Sequence, residues 1–177
     1  MSHIDCVSEE ADNLFVPERK EKLAGGFFGR KKILGVSSGG GHWVELMRLI
    51  PAFDGHDVAF ATVDVVYRGE AGLARFYTVH DVTRWDTWRL VLAIMKLAWI
   101  VSRERPDVVI STGALPGYFA LRIAKWFGAR TVWLDSIANV EELSMSGQRI
   151  GKYADLWLTQ WPHLAKPNGP LYRGTVL

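Results

Sequence analysis

From Lys32 onward, short blocks of apolar residues alternate with amphipathic stretches. Ile33-Leu34-Gly35-Val36 is apolar throughout and runs into Ser37-Ser38-Gly39-Gly40-Gly41. That pattern predicts a buried strand ending in a glycine-rich turn. Trp43, Leu46, Met47 and Ile50 then recur at i, i+3, i+4, i+7, one face of a helix, and Pro51 closes it. Residues 57–63 and 76–79 read as second and third strands. A long helix is predicted over 88–104, ended by Pro106. Residues 107–111 form another apolar strand, followed by Thr112-Gly113. A helix over 118–127 has Gly128 just past its end. A strand at 130–134 runs into Asp135-Ser136, and 155–159 is the last strand predicted. Continuously apolar strands alternating with helices define the α/β class: a Rossmann-like parallel sheet with helices on both faces. Ligands of such sheets bind beyond the carboxyl ends of the strands. The polar, glycine-rich clusters at 37–42, 111–117, 135–147 and 159–162 all fall there. That rim is the expected working surface.

Composition narrows the picture. With 177 residues, 49% hydrophobic and 23% charged, the chain can bury one sizeable core. Residues 1–30 read as an arm, acidic at its start and basic at its end, and 31–177 as the globular domain. A net charge of +2 gives no bulk signal for nucleic acid, and no nucleic-acid partner is expected. Cys6 is the one cysteine, which excludes an internal disulfide and a cysteine-based zinc cluster and suits a reducing cytoplasm. No secretory signal is present, and no run of about 18 uncharged apolar residues predicts a spanning helix. Membrane contact is expected only at the surface.

Four constellations carry candidate chemistry. In Ser38-Gly39-Gly40-Gly41-His42-Trp43-Val44-Glu45, glycines bring backbone amides close to a ligand and the following helix start adds partial positive charge. Together these suit a phosphate or diphosphate. The spacing is not G-x-G-x-x-G, and no Gly-Lys-Ser/Thr follows, so a P-loop is excluded. His42 and Glu45, three apart, share a helix face. His42 can take a proton from a sugar hydroxyl or bond a phosphate oxygen. A tight turn with His42 near the cap fits the spacing equally. The second constellation is the strand-to-helix loop with Thr112 and Gly113. The third spans 135–147, where Asp135 serves as base, hydroxyl ligand or helix cap, with Ser136, Asn139, Ser144, Ser146 and Gly147 behind it. The fourth sets Trp85, Trp88 and Trp99 among Arg84, Arg89, Lys96, Arg103 and Arg105, which suits either an anionic membrane interface or a core helix with a basic end. His56, His80 and His163 lack metal-ligand spacing, and no G-x-S-x-G elbow occurs.

Four segments occur in order: Ser-Gly-Gly-Gly-His-x-x-Glu at 38–45, Pro-Asp-Val-Val-Ile at 106–110, Asp-Ser-Ile-Ala-Asn-Val-Glu-Glu-Leu-Ser-Met-Ser-Gly at 135–147, and Ala-Asp-Leu-Trp-Leu-Thr-Gln-Trp-Pro at 154–162. Over residues 31–177 the chain resembles the family of asparagine-linked glycosylation protein fourteen. It is similar also to bacterial exopolysaccharide proteins of the PssD type, and its glycine loop to MurG-type transferases. The resemblance implies the N-terminal half of a GT-B glycosyltransferase split over two polypeptides. This half binds a polyprenyl-diphosphate glycan acceptor at the membrane surface, and a separate donor-binding subunit supplies the C-terminal half. A sugar would pass from a UDP-sugar with inversion. UDP-sugar is a substrate, and no cofactor or metal is implied.

By the same resemblance Gly39, Gly40, Gly41, His42 and Glu45 face the acceptor and its diphosphate, with Ser38, Thr112, Gly113, Ser136, Asn139, Ser144, Ser146 and Gly147 around them. His42 or Asp135 is the base, with Glu45 orienting the loop. Asp135 stands where relatives often carry Glu, which shortens its reach. Gln160, Trp161 and Pro162 lie near the domain junction, and Gly174 lies in a tail that holds the partner. The eukaryotic members carry an N-terminal spanning helix, which the hydrophobic pattern of this sequence does not predict. Trp85, Trp88, Arg89 and Lys96 then become the membrane contact, at the inner face of the cytoplasmic membrane. The alternative is a non-catalytic membrane platform that recruits or activates a catalytic partner. A nucleotide-dependent oxidoreductase on the same fold would instead bind NAD(P) as an isolated chain.

Overall fold

The computed structural model describes residues 29–81 and 87–176. Nearly all of the arm read at 1–30, together with Arg84 and Trp85, lies outside the described residues.

Seven parallel strands form one sheet: β1 (Lys32–Val36), β2 (Asp57–Thr62), β3 (Arg75–Thr78), β4 (Val108–Ser111), β5 (Arg130–Leu134), β6 (Leu156–Thr159) and β7 (Leu171–Tyr172). Their spatial order is β3-β2-β1-β4-β5-β6-β7. The helices are α1 (Gly41–Arg48), α2 (Thr87–Glu104), α3 (Ala114–Trp126) and α4 (Met145–Ile150). The fold is the Rossmann-like α/β sheet that the apolar blocks predict.

The two-residue period of a strand divides the core. On one face Leu34, Val36, Ala59, Ala61, Val109 and Trp133 pack against Leu97, Ile100 and Val101 of α2, Ala120, Leu121 and Ala124 of α3, and Ile150 of α4. On the other, Ile33 and Phe60 pack with Trp43 and Leu46 of α1, together with Phe53 and Ala71. Strands covered on both sides are apolar at most positions, which is why the central strands show no alternation.

Strand order reverses between β1 and β4. The chain leaves β1 towards α1 on one face and β4 towards α3 on the other. The two departures open a crevice at the carboxyl ends, the position where ligands settle in such sheets.

Three readings need correction. The third helix begins at Ala114, not at 118, because Pro116 falls in its first turn, where a missing N–H is tolerated. The strand at 155–159 is not the last, since β7 pairs with β6 through Leu158↔Leu171 and Thr159↔Tyr172. Two residues are too few to leave a periodic trace. Within 135–147 the helix cap is Ser144 rather than Asp135: its hydroxyl accepts from Gly147 N–H at 2.8 Å at the start of α4.

Candidate functional site at the carboxyl rim

The loops after β1 and β4 meet across the crevice. His42, at the start of α1, places Nδ1 3.0 Å from the Thr112 carbonyl oxygen. A carbonyl only accepts, so Nδ1 carries a proton, and in the neutral ring Nε2 then holds the lone pair. The Thr112 hydroxyl returns a bond to the His42 carbonyl at 2.6 Å. Gly113 lies against the imidazole with φ +141°, and a Cβ there would stand 2.5 Å from His42 Cε1. Only glycine supplies both the backbone angle and the room. The amides of Gly41 and His42 bond to no described residue, as expected for the first turn of a helix.

The loop after β5 forms the opposite wall. Asp135 is 1% exposed. Its Oδ1 accepts from the Ser144 hydroxyl at 2.6 Å and from the Trp133 indole at 3.3 Å, and its Oδ2 accepts from Ser144 N–H at 2.9 Å. A Cβ on Gly147 would come within 2.6 Å of Oδ1, so that glycine lets the helix start close over the carboxylate. Glu45, also buried, sends Oε1 from α1 to the Ser136 hydroxyl at 2.8 Å and to Ile137 N–H at 3.0 Å. Its Oε2 is buried with no partner among the described residues. Between the walls lies a hollow of about 340 Å³ lined by Gly41, His42, Ala114, Ser136, Ala138, Asn139, Ser144, Met145 and Ser146. Of the carboxylates proposed for chemistry, both are turned into the protein; His42 is the titratable group that lines the hollow. Hollows of about 480 Å³ beside Phe53 and His56, and about 510 Å³ beside Trp157 and Leu171, contain none of the candidate residues.

Residues 160–162 and the tail sit beside this wall. Gln160 is fully buried. Its amide donates to the Asp135 carbonyl at 3.1 Å, and its Oε1 accepts from Val176 N–H at 2.9 Å. Trp161 donates from its indole to the Ile137 carbonyl at 2.8 Å. Arg48 of α1 donates to the Val176 carbonyl at 2.8 Å. Gln160 is therefore an internal tie rather than a surface residue, whereas Pro162 and Gly174 are exposed and Trp161 is half-buried.

On α2, Ala93, Leu97, Ile100 and Val101 face the core. Trp88, Val91, Leu92, Met95 and Trp99 are exposed along the outer face, together with Arg89, Lys96 and Arg103. Trp126 and Phe127, at the end of the neighbouring α3, are exposed as well. The 88, 92, 95, 99 spacing was a sequence signal for this stripe, hidden because apolar residues also fill the opposite, core-facing side of the helix. No helix among the described residues is long and apolar enough to cross a membrane.

A hydrogen bond from Arg75 holds Asp57 below the usual carboxylate range. Burial, with the bonded Glu104 carboxylate, pushes the Tyr77 phenol up.

The fold and rim define the class: a Rossmann-like α/β domain with its crevice at the carboxyl ends of a parallel sheet. Structural likeness agrees, since Acinetobacter baumannii MurG superposes with a TM-score of 0.69 at 11% identity, over 83% of this chain and 46% of that one. Residues 71–176 match the family described as oligosaccharide biosynthesis protein Alg14 like, and the chain belongs to that family. A human protein named UDP-N-acetylglucosamine transferase subunit ALG14 is 26% identical over 75% of this chain and 76% of its own length. The protein of the same name from Yarrowia lipolytica is 30% identical over 38% of this chain. The match spans 34% of the Yarrowia protein, about a third of its length.

Proposed function

We propose that the chain is the acceptor-binding subunit of a two-component inverting glycosyltransferase. It acts on a polyprenyl-diphosphate-linked glycan at a membrane surface, and a separate subunit binds the UDP-sugar. The observation that carries this reading is His42. Its Nδ1–H is held by the Thr112 carbonyl, its Nε2 is free of described partners, and it lines a hollow fringed by Ser136, Asn139, Ser144 and Ser146.

In this reading Nε2 removes the proton from an acceptor sugar hydroxyl while that oxygen attacks the anomeric carbon. The bond to UDP breaks on the opposite face, UDP leaves with the electron pair, and the anomeric configuration inverts. Thr112 keeps the imidazole in the basic tautomer. The acceptor diphosphate rests on the free amides of Gly41 and His42 at the start of α1. Asp135 and Glu45 act as positioning residues: one holds Ser144 and the start of α4, the other holds Ser136. The outer face of α2 rests on the bilayer at the cytoplasmic side, with Arg89, Lys96 and Arg103 among lipid phosphates. The donor half docks on the rim beside Trp161, Pro162 and Gly174. UDP-N-acetylglucosamine is the first donor to try, because the relatives' names specify it.

The test is sugar transfer to a synthetic polyprenyl-diphosphate acceptor from a panel of UDP-sugars. It is run with this chain, with the donor-binding subunit, and with the mixture. Transfer in the mixture alone, lost in His42→Ala while the complex stays intact, is the expected result. Transfer by the donor-binding subunit alone would make this chain a non-catalytic platform.

A further inference from the structure

The turn between β2 and β3 braces the glycine loop and leaves one donor unspent. Asp64 accepts from Val66 N–H at 3.0 Å and starts the tight turn Val65–Gly69. Tyr67 in that turn stacks on buried Trp43, ring centroids 5.2 Å apart and planes 30° apart. The Trp43 indole in turn donates to Glu70 Oε2 at 2.8 Å. This stack directs the phenol at the loop after β1. Gly40 N–H donates to the Tyr67 oxygen at 2.8 Å, and a Cβ on Gly39 would come within 3.0 Å of the same oxygen. A phenol both accepts and donates. Here Gly40 occupies the accepting side, and the O–H donates to no described residue. Gly40 itself is exposed, so the contact lies at the mouth of the loop.

We propose that Tyr67 is a binding residue for a diphosphate ester, its O–H donating to a phosphoryl oxygen held at the amides of Gly41 and His42. The proposal rests on the acceptor-site reading above. With its amide spent on Tyr67, Gly40 reaches the ligand only through the phenol. The accepted bond polarises the O–H and strengthens its donation, so the loop gains a donor that extends further than its own backbone. Two ligands present this chemistry: the polyprenyl diphosphate of the acceptor and the UDP of the donor.

The experiment titrates the full chain in detergent micelles by calorimetry with farnesyl diphosphate, farnesol and UDP. Wild type is compared with Tyr67→Phe and Glu70→Ala. Tyr67→Phe should bind one diphosphate about tenfold more weakly, as for a lost hydrogen bond to a charged group, with farnesol unchanged. Weakening on farnesyl diphosphate identifies the lipid as the ligand; weakening on UDP identifies the nucleotide. Glu70→Ala removes the indole's acceptor and spares the phenol. It should lower the thermal midpoint and leave the ratio of diphosphate to farnesol affinity intact. Equal diphosphate affinities in wild type and Tyr67→Phe overturn the proposal. So does a Tyr67→Phe that merely loses stability, as Glu70→Ala does, with the affinity ratio preserved. A wild type that binds neither diphosphate refutes the acceptor-site reading itself, and the proposal falls with it.

Discussion

Gly113 offers a direct test of the crevice geometry without any partner. Alanine there meets two costs. The backbone sits at φ +141°, where a Cβ adds about 1–3 kcal/mol of strain. The new methyl would also stand 2.5 Å from His42 Cε1 and 2.6 Å from Nδ1. The ring must move by about 1 Å to reach ordinary contact, which breaks the bond to Thr112, worth about 1 kcal/mol net. Gly113→Ala should therefore lose about 2–4 kcal/mol. His42→Ala alone removes the same bond and half-buried packing, about 1–2 kcal/mol. In the double variant the methyl occupies space the ring has left, so only the backbone strain is added to the loss of histidine. The double variant should be about 1 kcal/mol more stable than the sum of the singles predicts. Urea unfolding followed by circular dichroism measures all four corners of the cycle. Additivity within about 0.5 kcal/mol would refute the claim that Gly113 exists to seat the imidazole.

Other expectations follow from the same geometry. Asp135→Ala strips the acceptor from the Ser144 hydroxyl, the Ser144 amide and the Trp133 indole, and should cost about 3 kcal/mol or more in urea unfolding. Ser144→Ala, which leaves the Trp133 contact in place, should cost less. Met95→Glu on the exposed face of α2 should reduce co-sedimentation with anionic vesicles about tenfold or more, and Arg89→Gln with Lys96→Gln should flatten the salt dependence of binding. Unchanged sedimentation in both variants would remove the membrane seat from α2. The lowered pKa of Asp57, caused first by its bond from Arg75, contributes stability that is present above the ordinary value of 3.8 and lost as pH falls through the lower folded value. Asp57→Asn should accordingly flatten the stability curve below about pH 4, by less than about 1 kcal/mol for so exposed a pair.

The site was legible in parts. The glycine loop, His42, the 135–147 segment and the basic, tryptophan-rich helix could be picked out because local sequence sets a turn, a helix start and an apolar run. Their roles were less visible. Asp135 and His42 were equal candidates for the base on spacing. The structure buries Asp135 against Ser144 and Trp133 and leaves His42 lining the hollow, held by Thr112, 70 residues away. Glu45 shares a helix face with His42, yet it reaches Ser136 and Ile137, 91 and 92 residues away. Gln160 belonged with Trp161 and Pro162 as one motif, but burial sets it apart from them. Tyr67 carried no signal, since nothing local links it to the glycines it touches.

By itself the sequence determined the class of fold. Near-continuously apolar strands call for a sheet covered on both faces, and the helices between them suit a parallel sheet. It also determined that the polar clusters share one rim, because each follows the end of a strand. The tertiary structure decided which groups face the hollow and which are bound into its walls. That choice depends on strand order. Placing β4 beside β1 brings Thr112 to His42, and the loop after β5 then lies close enough to α1 for Glu45 to hold it. Periodicity along a chain reports burial, whereas the neighbours a buried group meets are set by how distant strands are ordered.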